Sequence, residues 1–179
     1  MAVVTSFSLD QDFWDSNPQL LLRQEFKDYH KADKSRGKKT SSTVMWWIAL
    51  CYDLDRDNKW RGQTQEEKHL HLGTQLLEEP DFFNQNKKWL APLIAAYIQM
   101  ADTPGKRQLR SFTKKLDEKT EWLDGLHYSD DPEAIEKALI SNKNLYSSLA
   151  TIEKQLNEED GEGQGRGGAT PSGADKGDF

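Results

Sequence analysis

The sequence predicts an all-α protein: a small helical body, then a long antiparallel helical hairpin of coiled-coil type, then a disordered acidic tail. Three observations support this prediction. Capping residues followed directly by proline recur along the chain, apolar residues repeat at spacings of three and four, and the residues after Asn157 contain one aromatic ring and little other apolar surface. The predicted boundaries are residues 1–101 for the body with its amino-terminal arm, 102–157 for the hairpin and 158–179 for the tail.

The amino-terminal residues predict an extended arm followed by a first helix. Polar residues alternate with large apolar ones that we expect to pack on the body: Phe7, Leu9, Phe13 and Trp14. Asn17-Pro18 then supplies an N-cap and a proline at the first helical position. Leu22, Phe26 and Tyr29 follow at spacings of four and three, which predicts that they form the inner face of this helix.

A basic segment without apolar residues comes next and predicts an exposed loop. Its cations are Lys31, Lys34, Arg36, Lys38 and Lys39, set against the single carboxylate of Asp33. After it, Ser41 or Ser42 is expected to cap a short helix that is almost wholly apolar from Val44 to Leu50. A helix that is apolar on all sides is a buried one, so we expect it at the centre of the core.

The middle of the chain predicts two further helices. Asp53 to Asn58 reads as a polar loop, and Thr64 with Glu67 forms a capping box that opens a helix running to about Leu77. The expected inner face of that helix consists of Leu70, Gly73, Leu76 and Leu77. Pro80 ends it, and a second helical pattern from Trp89 to Ile98 contains Pro92, which either kinks that helix or starts it anew.

The heptad pattern in the second half predicts the hairpin. Thr103-Pro104 opens its first helix, in which the a and d positions are Leu109, Phe112, Leu116, Leu123 and Leu126, interrupted by Lys119. Asp131-Pro132 opens the second, whose a and d positions are Ile135, Ala138, Asn142, Leu145, Leu149, Ile152 and Leu156. Because the connection is short, the two helices are expected to run antiparallel. The seam either docks on the body or joins subunits, and we favour a homo-oligomer because a body of this size offers limited surface.

Composition indicates a soluble protein of a reducing compartment. The net charge is −6, of which residues 157–179 carry −4 through six carboxylates and two basic side chains, leaving −2 on the rest. The longest apolar run, Val44 to Tyr52, is about half of the roughly 18–20 residues that a membrane span needs. The start of the chain lacks a basic segment followed by a long apolar one, so we expect neither secretion nor a membrane partner. Cys51 is the single cysteine and cannot form an internal disulfide.

No catalytic or cofactor motif emerges, and the nearest candidate is an aspartate-rich loop. Asp53, Asp55 and Asp57 match the first three ligand positions of an EF-hand calcium loop, but Asn58 and Thr64 replace its glycine and its bidentate glutamate. The competing interpretation is an Asx-rich turn that caps the preceding helix. We therefore predict a non-enzyme without metal or cofactor, and keep a metal-dependent hydrolase or nuclease acting through this loop as a third alternative.

The basic segment also allows a nucleic-acid hypothesis. Its cations would contact phosphates through Lys31, Lys34, Arg36, Lys38 and Lys39, and the following Trp46-Trp47 pair would stack on bases. The opposing interpretation is a solvated loop followed by two core tryptophans, which their place in an apolar helix favours.

A further set of residues carries a family resemblance over roughly residues 25–157. They are the run Ser41 to Leu50, Asp53-Leu54-Asp55, Trp60, Tyr97, Asp102-Thr103-Pro104 and Arg107. This pattern resembles small uncharacterised proteins of tailed bacteriophages, and the layout is similar to that of terminase small subunits: a DNA-contacting amino-terminal part, a helical oligomerising region and a flexible carboxyl end. The resemblance implies a non-enzymatic virion or assembly adaptor, in the host cytoplasm or the virion, that binds itself or a larger protein partner. Its alternative implication is a DNA-packaging protein that contacts DNA through residues 31–39.

Overall fold

The computed structural model describes residues 7–126 and 132–165, with side chains as far as residue 158. In these ranges the chain forms α-helices and two short 3-10 helices, with no β-strand, so the predicted all-α class is confirmed. The α-helices are α1 (Phe13–Ser16), α2 (Gln24–Ala32), α3 (Lys39–Tyr52), α4 (Gln65–Leu77), α5 (Phe82–Ala101), α6 (Pro104–Asp124) and α7 (Pro132–Gly165). The 3-10 helices span Pro18–Leu22 and Arg36–Lys38.

The chain divides into two compact units. Unit 1 is Met1–Arg107 and unit 2 is Gln108–Phe179, so α6 begins in unit 1 and continues in unit 2. The helix α7 extends to Gly165, past residue 158 where the tail was predicted to begin. Residues 166–179, the remainder of that predicted tail, lie outside the described residues.

Helix α3 lies at the centre of unit 1, as its all-apolar sequence predicts. Every residue from Val44 to Cys51 is buried, and the Trp47 ring is fully enclosed. The helix starts at Lys39, earlier than expected, so Ser41 and Ser42 lie within it and do not cap it. Both are buried, and their hydroxyls accept hydrogen bonds from Trp14 Nε1 (3.0 Å) and Phe13 N (2.8 Å). These serines thus join the arm to the core.

The arm is shorter than predicted because it ends in helix α1. The carboxylate of Asp12 caps this helix by accepting hydrogen bonds from Trp14 N (2.8 Å) and Asp15 N (3.2 Å). The rings of Phe13 and Trp14 are buried, as expected, whereas Leu9 is exposed. Local capping by an aspartate therefore outweighs the extended conformation that the alternating pattern suggested.

The helix predicted to start at Asn17-Pro18 is broken. Pro18 opens the 3-10 helix Pro18–Leu22, and α2 begins only after Arg23, whose backbone is extended. The buried Asn17 side chain donates to the Phe13 carbonyl (2.9 Å) and does not cap the new helix. The predicted inner face is consequently wrong at Leu22, which is exposed, and right at Phe26, which is buried.

Helix α4 confirms its predicted start and corrects its predicted inner face. Thr64 N donates to the Glu67 carboxylate (3.0 Å) and Glu67 N donates to the Thr64 hydroxyl (3.3 Å), which completes the capping box. Leu70, however, is exposed, and the buried positions are Lys68, Leu72 and Gly73. The apolar pattern predicted the wrong face because Lys68 occupies an inner position, where its ammonium donates hydrogen bonds to the backbone carbonyls of Cys51 and Arg61.

Gly73 is required by a close backbone approach at the end of α4. A Cβ atom at this position would lie 2.6 Å from the carbonyl oxygen of Glu79, well inside van der Waals contact. The chain turns there through Glu78, which adopts the left-handed conformation, and Glu79 N donates to the Gly73 carbonyl (3.0 Å). Helix α5 then runs continuously through Pro92, so of the two alternatives, a kink or a new start, the new start does not occur.

Candidate functional site

The predicted seam positions are the covered positions of unit 2. Leu109 and Leu116 of α6 are buried, as are Ile135, Asn142, Ile152 and Leu156 of α7. Ala138 of α7 is buried too, and the remaining predicted members are half-buried: Phe112, Leu123, Leu126, Leu145 and Leu149. The single chain covers this whole set by itself, which agrees with a hairpin closed along its seam. The exposed residues of α6 and α7 lie outside this set.

Asn142 is a polar residue inside this apolar seam. It is 9% exposed, and its Oδ1 atom accepts no hydrogen bond from the described residues. A buried amide oxygen without a donor costs about 1–3 kcal/mol. As in coiled coils, a polar residue at such a position favours one register over others at the expense of stability.

Large apolar side chains are exposed on both helices of unit 2, outside the seam. Trp122 of α6 is 50% exposed, and Leu139, Ile140 and Tyr146 of α7 are 54%, 64% and 54% exposed. None of the four occupies a predicted a or d position. Unit 2 thus presents apolar surface to solvent in addition to its covered positions.

The basic segment is only partly the loop that was predicted. Lys31 belongs to α2 and Lys39 begins α3, so only the residues between these two helices form a turn. Gly37 (φ 67°) and Lys38 (φ 56°) both adopt the left-handed conformation and direct the chain into α3. Four of its cations, Lys31, Lys34, Arg36 and Lys39, are exposed, and their side chains form no hydrogen bond or ion pair with the described residues. Lys38 differs, because its ammonium donates to the Asp33 carbonyl (2.6 Å).

Asp33 holds this turn in place. Its carboxylate accepts hydrogen bonds from Ser35 N (2.7 Å) and Ser41 N (2.8 Å), so it ties the turn to the first residues of α3. Partial burial acts to raise the pKa of Asp33, but the hydrogen bonds from Ser41 and Ser35 outweigh it and hold the pKa well below its usual value. The turn therefore presents its free cations from a fixed backbone.

Trp46 and Trp47 do not supply the base-stacking surface of the nucleic-acid hypothesis. Both rings belong to the core of unit 1, with Trp46 3% exposed and Trp47 fully buried. Trp46 Nε1 donates to the Gln11 carbonyl (3.0 Å), which fixes its ring against the arm. Phosphate contact through the basic segment would therefore act without these two tryptophans.

The aspartate-rich loop is organised around a lysine ammonium. Asp53 is buried; its Oδ2 atom accepts a hydrogen bond from the Tyr97 hydroxyl (2.9 Å), and its Oδ1 atom lies 3.3 Å from Lys106 Nζ. Asp55 Oδ2 lies 3.7 Å from the same ammonium. Asp57 is exposed and faces Arg56 (3.7 Å). The described residues contain no group of three or more His, Cys, Asp or Glu placed to hold a metal ion.

The loop also caps α3, as its Asx-rich sequence suggested. The buried Asn58 side chain donates to the carbonyls of Leu50 (2.9 Å) and Asp53 (2.8 Å) at the end of that helix. Two lysines that the sequence gave no reason to single out are buried near it. Lys106 pairs with Asp53, and Lys68 donates to the Cys51 and Arg61 carbonyls, each at 3.4 Å. Local patterns could not reveal them, because Lys106 lies 53 residues from its partner along the chain.

Cys51 is a buried thiol among these groups. Burial raises its pKa well above the usual range, and the nearby Lys68 charge only partly offsets that effect. A thiol with a raised pKa stays protonated near neutral pH and is a poor nucleophile. The cysteine is therefore part of the core packing, as expected from its place in α3.

The imidazole ring of His69 lies among aromatic side chains. Its ring stacks on Phe83 (4.1 Å between centroids) and on Trp47 (5.4 Å), and its Nε2 atom lies 2.8 Å from the Tyr52 hydroxyl. Burial, assisted by the positive charge of Lys68, lowers the pKa of His69 to about 4. The imidazole is consequently neutral at physiological pH.

The lowered pKa of His69 predicts that unit 1 loses stability in mild acid. The unfolded chain binds a proton near pH 6.5 and the folded chain only near 4, so acid favours unfolding across that interval. Because the ring is only partly buried, we expect a total loss of about 1–2 kcal/mol. Urea denaturation at several pH values measures this slope.

Two variants separate His69 from the other histidines. His69→Phe should flatten the dependence of the unfolding free energy on pH between 6.5 and 4, whatever its effect on stability at pH 7. His71→Gln is the matched control, since His71 is exposed, and it should keep the slope of the unmodified protein. An unchanged slope in His69→Phe would contradict the assignment.

Comparisons with known proteins add no identification. The chain matches no protein-family model, no curated protein and no solved structure. Within the described residues, no helix combines the length and apolar character needed to cross a membrane. What the protein does must therefore be inferred from its own side chains.

Proposed function

We propose that this chain is a non-enzymatic assembly protein, a phage virion or assembly adaptor as the sequence resemblance implies, that binds a second copy or a larger protein partner through its helical hairpin. The observation that carries the proposal is the exposed apolar surface of unit 2. Trp122, Leu139, Ile140 and Tyr146 are each at least half exposed, although the chain covers the predicted heptad positions of unit 2 fully or in part. Exposed apolar surface beside a closed core is typical of interaction sites.

The polar groups of unit 1 support a binding role over a catalytic one. Asp53 and Asp55 are engaged by the Lys106 ammonium, and the Cys51 thiol is buried and protonated. Each of these groups contributes to holding unit 1 together. A reaction at any of these groups would require it to leave its present partners.

Sedimentation equilibrium over a wide range of protein concentrations tests the proposal. We expect the average mass to rise with concentration above that of one chain. Replacing Leu139, Ile140 and Tyr146 with serine should abolish the rise without loss of helix content, because all three are exposed. A mass that stays at one chain throughout would contradict self-association and leave docking on a larger partner as the only form of the proposal.

A second candidate function, DNA packaging of the terminase-small-subunit type, is favoured by one observation. The exposed cations Lys31, Lys34, Arg36 and Lys39 lie in or directly beside a turn whose backbone is held by Asp33, and they have no partner among the described residues. A rigid cluster of cations without intramolecular partners attracts phosphates, because each contact releases a condensed counterion from DNA.

Replacing Lys34, Arg36 and Lys39 with glutamine should weaken DNA binding and flatten its salt dependence. Each lost phosphate contact removes about 0.9 from the slope of log affinity against log salt. Fluorescence anisotropy with a short duplex at several salt concentrations measures both quantities. Fold and mass should be unaffected, since all three side chains are exposed.

The control for this experiment removes the same number of charges elsewhere. Lys114, Lys137 and Lys154 are exposed on α6 and α7, and replacing them with glutamine should leave the salt slope nearly unchanged. Equal losses in both triple variants would indicate a non-specific attraction. No binding by the unmodified protein at low salt would eliminate the packaging function.

A further inference from the structure

Trp89 of α5 is an exposed aromatic side chain of unit 1. It is 40% exposed, although its ring stacks on that of Tyr29 of α2, with 5.6 Å between the centroids and 29° between the planes. Trp89 Nε1 donates a hydrogen bond to Asn86 Oδ1 (2.8 Å), and the ring of Phe82 lies against the indole at 83° (6.2 Å). Three neighbours therefore fix the orientation of the indole while part of its surface faces solvent.

Tyr29 connects this ring to the turn of the basic segment. Tyr29 and Asp33 are four residues apart at the end of α2, a spacing that brings two side chains to the same side of a helix. Burial raises the pKa of the Tyr29 hydroxyl well above its usual range, and the nearby negative charge of Asp33 adds to that effect. The same Asp33 carboxylate holds the turn through hydrogen bonds from Ser35 N and Ser41 N. Trp89 and the turn are therefore neighbours in unit 1.

Exposed cations lie on both sides of this aromatic pair. Lys31 follows Tyr29 by two residues on α2, and Lys88 directly precedes Trp89 on α5; both are exposed. The turn itself adds Lys34 and Arg36, likewise exposed. An exposed ring among cations is the combination with which proteins bind single-stranded nucleic acids, because the cations contact phosphates and the ring stacks on a base.

The ring provides a contact that the cations alone cannot provide. Cations attract the phosphates of single strands and of duplexes alike. The bases of a duplex are paired and stacked on one another, so a protein reaches a base face only after that base is unpaired and unstacked, which costs free energy. A base in a single strand can stack on an exposed ring without this cost. An aromatic ring beside the basic segment thus favours single strands.

We infer that Trp89 and the basic segment together form a binding site for single-stranded nucleic acid, in which a base stacks on Trp89 and neighbouring phosphates contact the exposed cations. This inference rests on the second candidate function proposed above and names the form of nucleic acid that binds. The basic segment regains an aromatic partner in this way. Trp46 and Trp47, which follow it in the sequence, are buried, and the exposed ring comes from α5.

Binding of a short labelled oligothymidylate, measured by fluorescence anisotropy at several salt concentrations, tests the stacking contact. Trp89→Leu keeps an apolar side chain but removes the ring, and it should lower the affinity about tenfold or more. The slope of log affinity against log salt should stay unchanged, because no phosphate contact is lost. Trp89→Phe keeps an aromatic ring and should bind within about threefold of the unmodified protein.

Two controls separate stacking from a general loss of binding. Trp122→Leu removes an exposed ring of unit 2, where Trp122 is 50% exposed, and it should leave the affinity for oligothymidylate unchanged. A labelled duplex of the same length should bind Trp89→Leu within about twofold of the unmodified protein, because phosphates alone hold it. Circular dichroism should give the same helix content for both Trp89 variants.

Tryptophan fluorescence gives an independent readout of the contact. A base that stacks on an indole quenches its emission, so oligothymidylate should quench the fluorescence of the unmodified protein. Trp89→Phe still binds but lacks the indole in question, so its emission should be quenched clearly less at saturation. Equal quenching in the two proteins would contradict a base on Trp89.

The outcomes distinguish this inference from the packaging function. An unmodified protein that binds neither oligothymidylate nor duplex at low salt removes both. Binding that depends on Lys34, Arg36 and Lys39, but not on the ring at position 89, overturns the stacking site alone and leaves phosphate contact by the basic segment standing. Equal losses in Trp89→Leu and Trp89→Phe also overturn the stacking site. A loss in Trp89→Leu at constant salt slope, with recovery in Trp89→Phe, supports it.

Discussion

Replacing Lys106 with methionine is expected to destabilise unit 1 by about 3–5 kcal/mol, the usual cost of removing one partner of a buried ion pair. The Lys106 ammonium is nearly inaccessible to water, and it is the cation that faces both Asp53 (3.3 Å) and Asp55 (3.7 Å). Without it, the Asp53 carboxylate keeps only its hydrogen bonds from Tyr97 and Asp55 N. A buried charge with so little compensation strongly favours unfolding.

Urea denaturation followed by tryptophan fluorescence measures this loss, because Trp46 and Trp47 lie in the core of unit 1. Asp53→Asn in the Lys106→Met background should recover at least about 1 kcal/mol, since a neutral amide needs no counter-ion. Lys114→Met, which removes an exposed ion pair with Glu118, should change stability by about 0.5 kcal/mol or less. A comparably small effect for Lys106→Met would show that the pair is solvated.

Replacing Leu149 with aspartate is expected to unfold unit 2 while leaving unit 1 folded. Leu149 is half-buried between Leu145 and Ile152 in the seam, and a carboxylate there costs several kcal/mol or separates the helices. Because the chain covers this seam by itself, the expected result is a loss of helix content by circular dichroism. The fluorescence of the Trp46-Trp47 pair should keep its native value.

Two further variants serve as controls for the effect of Leu149→Asp on unit 2. Ser148→Asp places the same charge one residue away on an exposed side of α7 and should change stability by about 0.5 kcal/mol or less. Asn142→Leu should act in the opposite direction and stabilise unit 2 by about 1 kcal/mol, because it removes an amide oxygen that has no donor. An unchanged helix content and midpoint for Leu149→Asp would show that the seam is open to water, and the hairpin would lose its main support.

Periodicity and capping in the sequence were sufficient for the fold class and for much of the helix arrangement. The apolar run of α3, the Thr64–Glu67 capping box and the proline starts of α6 and α7 all depend on residues within a few positions of one another. The seam positions could also be identified from the sequence, since a heptad pattern predicts which face of a helix is buried. Local interactions of this kind involve only residues close together in the chain, so a sequence alone reveals them.

Tertiary structure decided the features that join distant parts of the chain. The pairing of Lys106 with Asp53, the inner position of Lys68 and the role of Ser41 and Ser42 as acceptors for the arm could not be inferred, because each depends on a partner at least 17 residues away. In a sequence, lysines and serines are expected at the surface. Burying their polar groups costs free energy, and hydrogen bonds or ion pairs with other residues offset that cost.

The candidate functional residues likewise fall into two groups, those that the sequence identifies and those that only the tertiary structure identifies. The basic segment and the heptad seam were determined by the sequence, because a run of cations and a repeat of apolar residues are visible without a structure. The exposed apolar surface of unit 2 was not, since Leu139 and Ile140 can be recognised as exposed only when the side of α7 that the chain covers is known. Which apolar residues remain in water is a property of the packed chain, because burial depends on every neighbour at once.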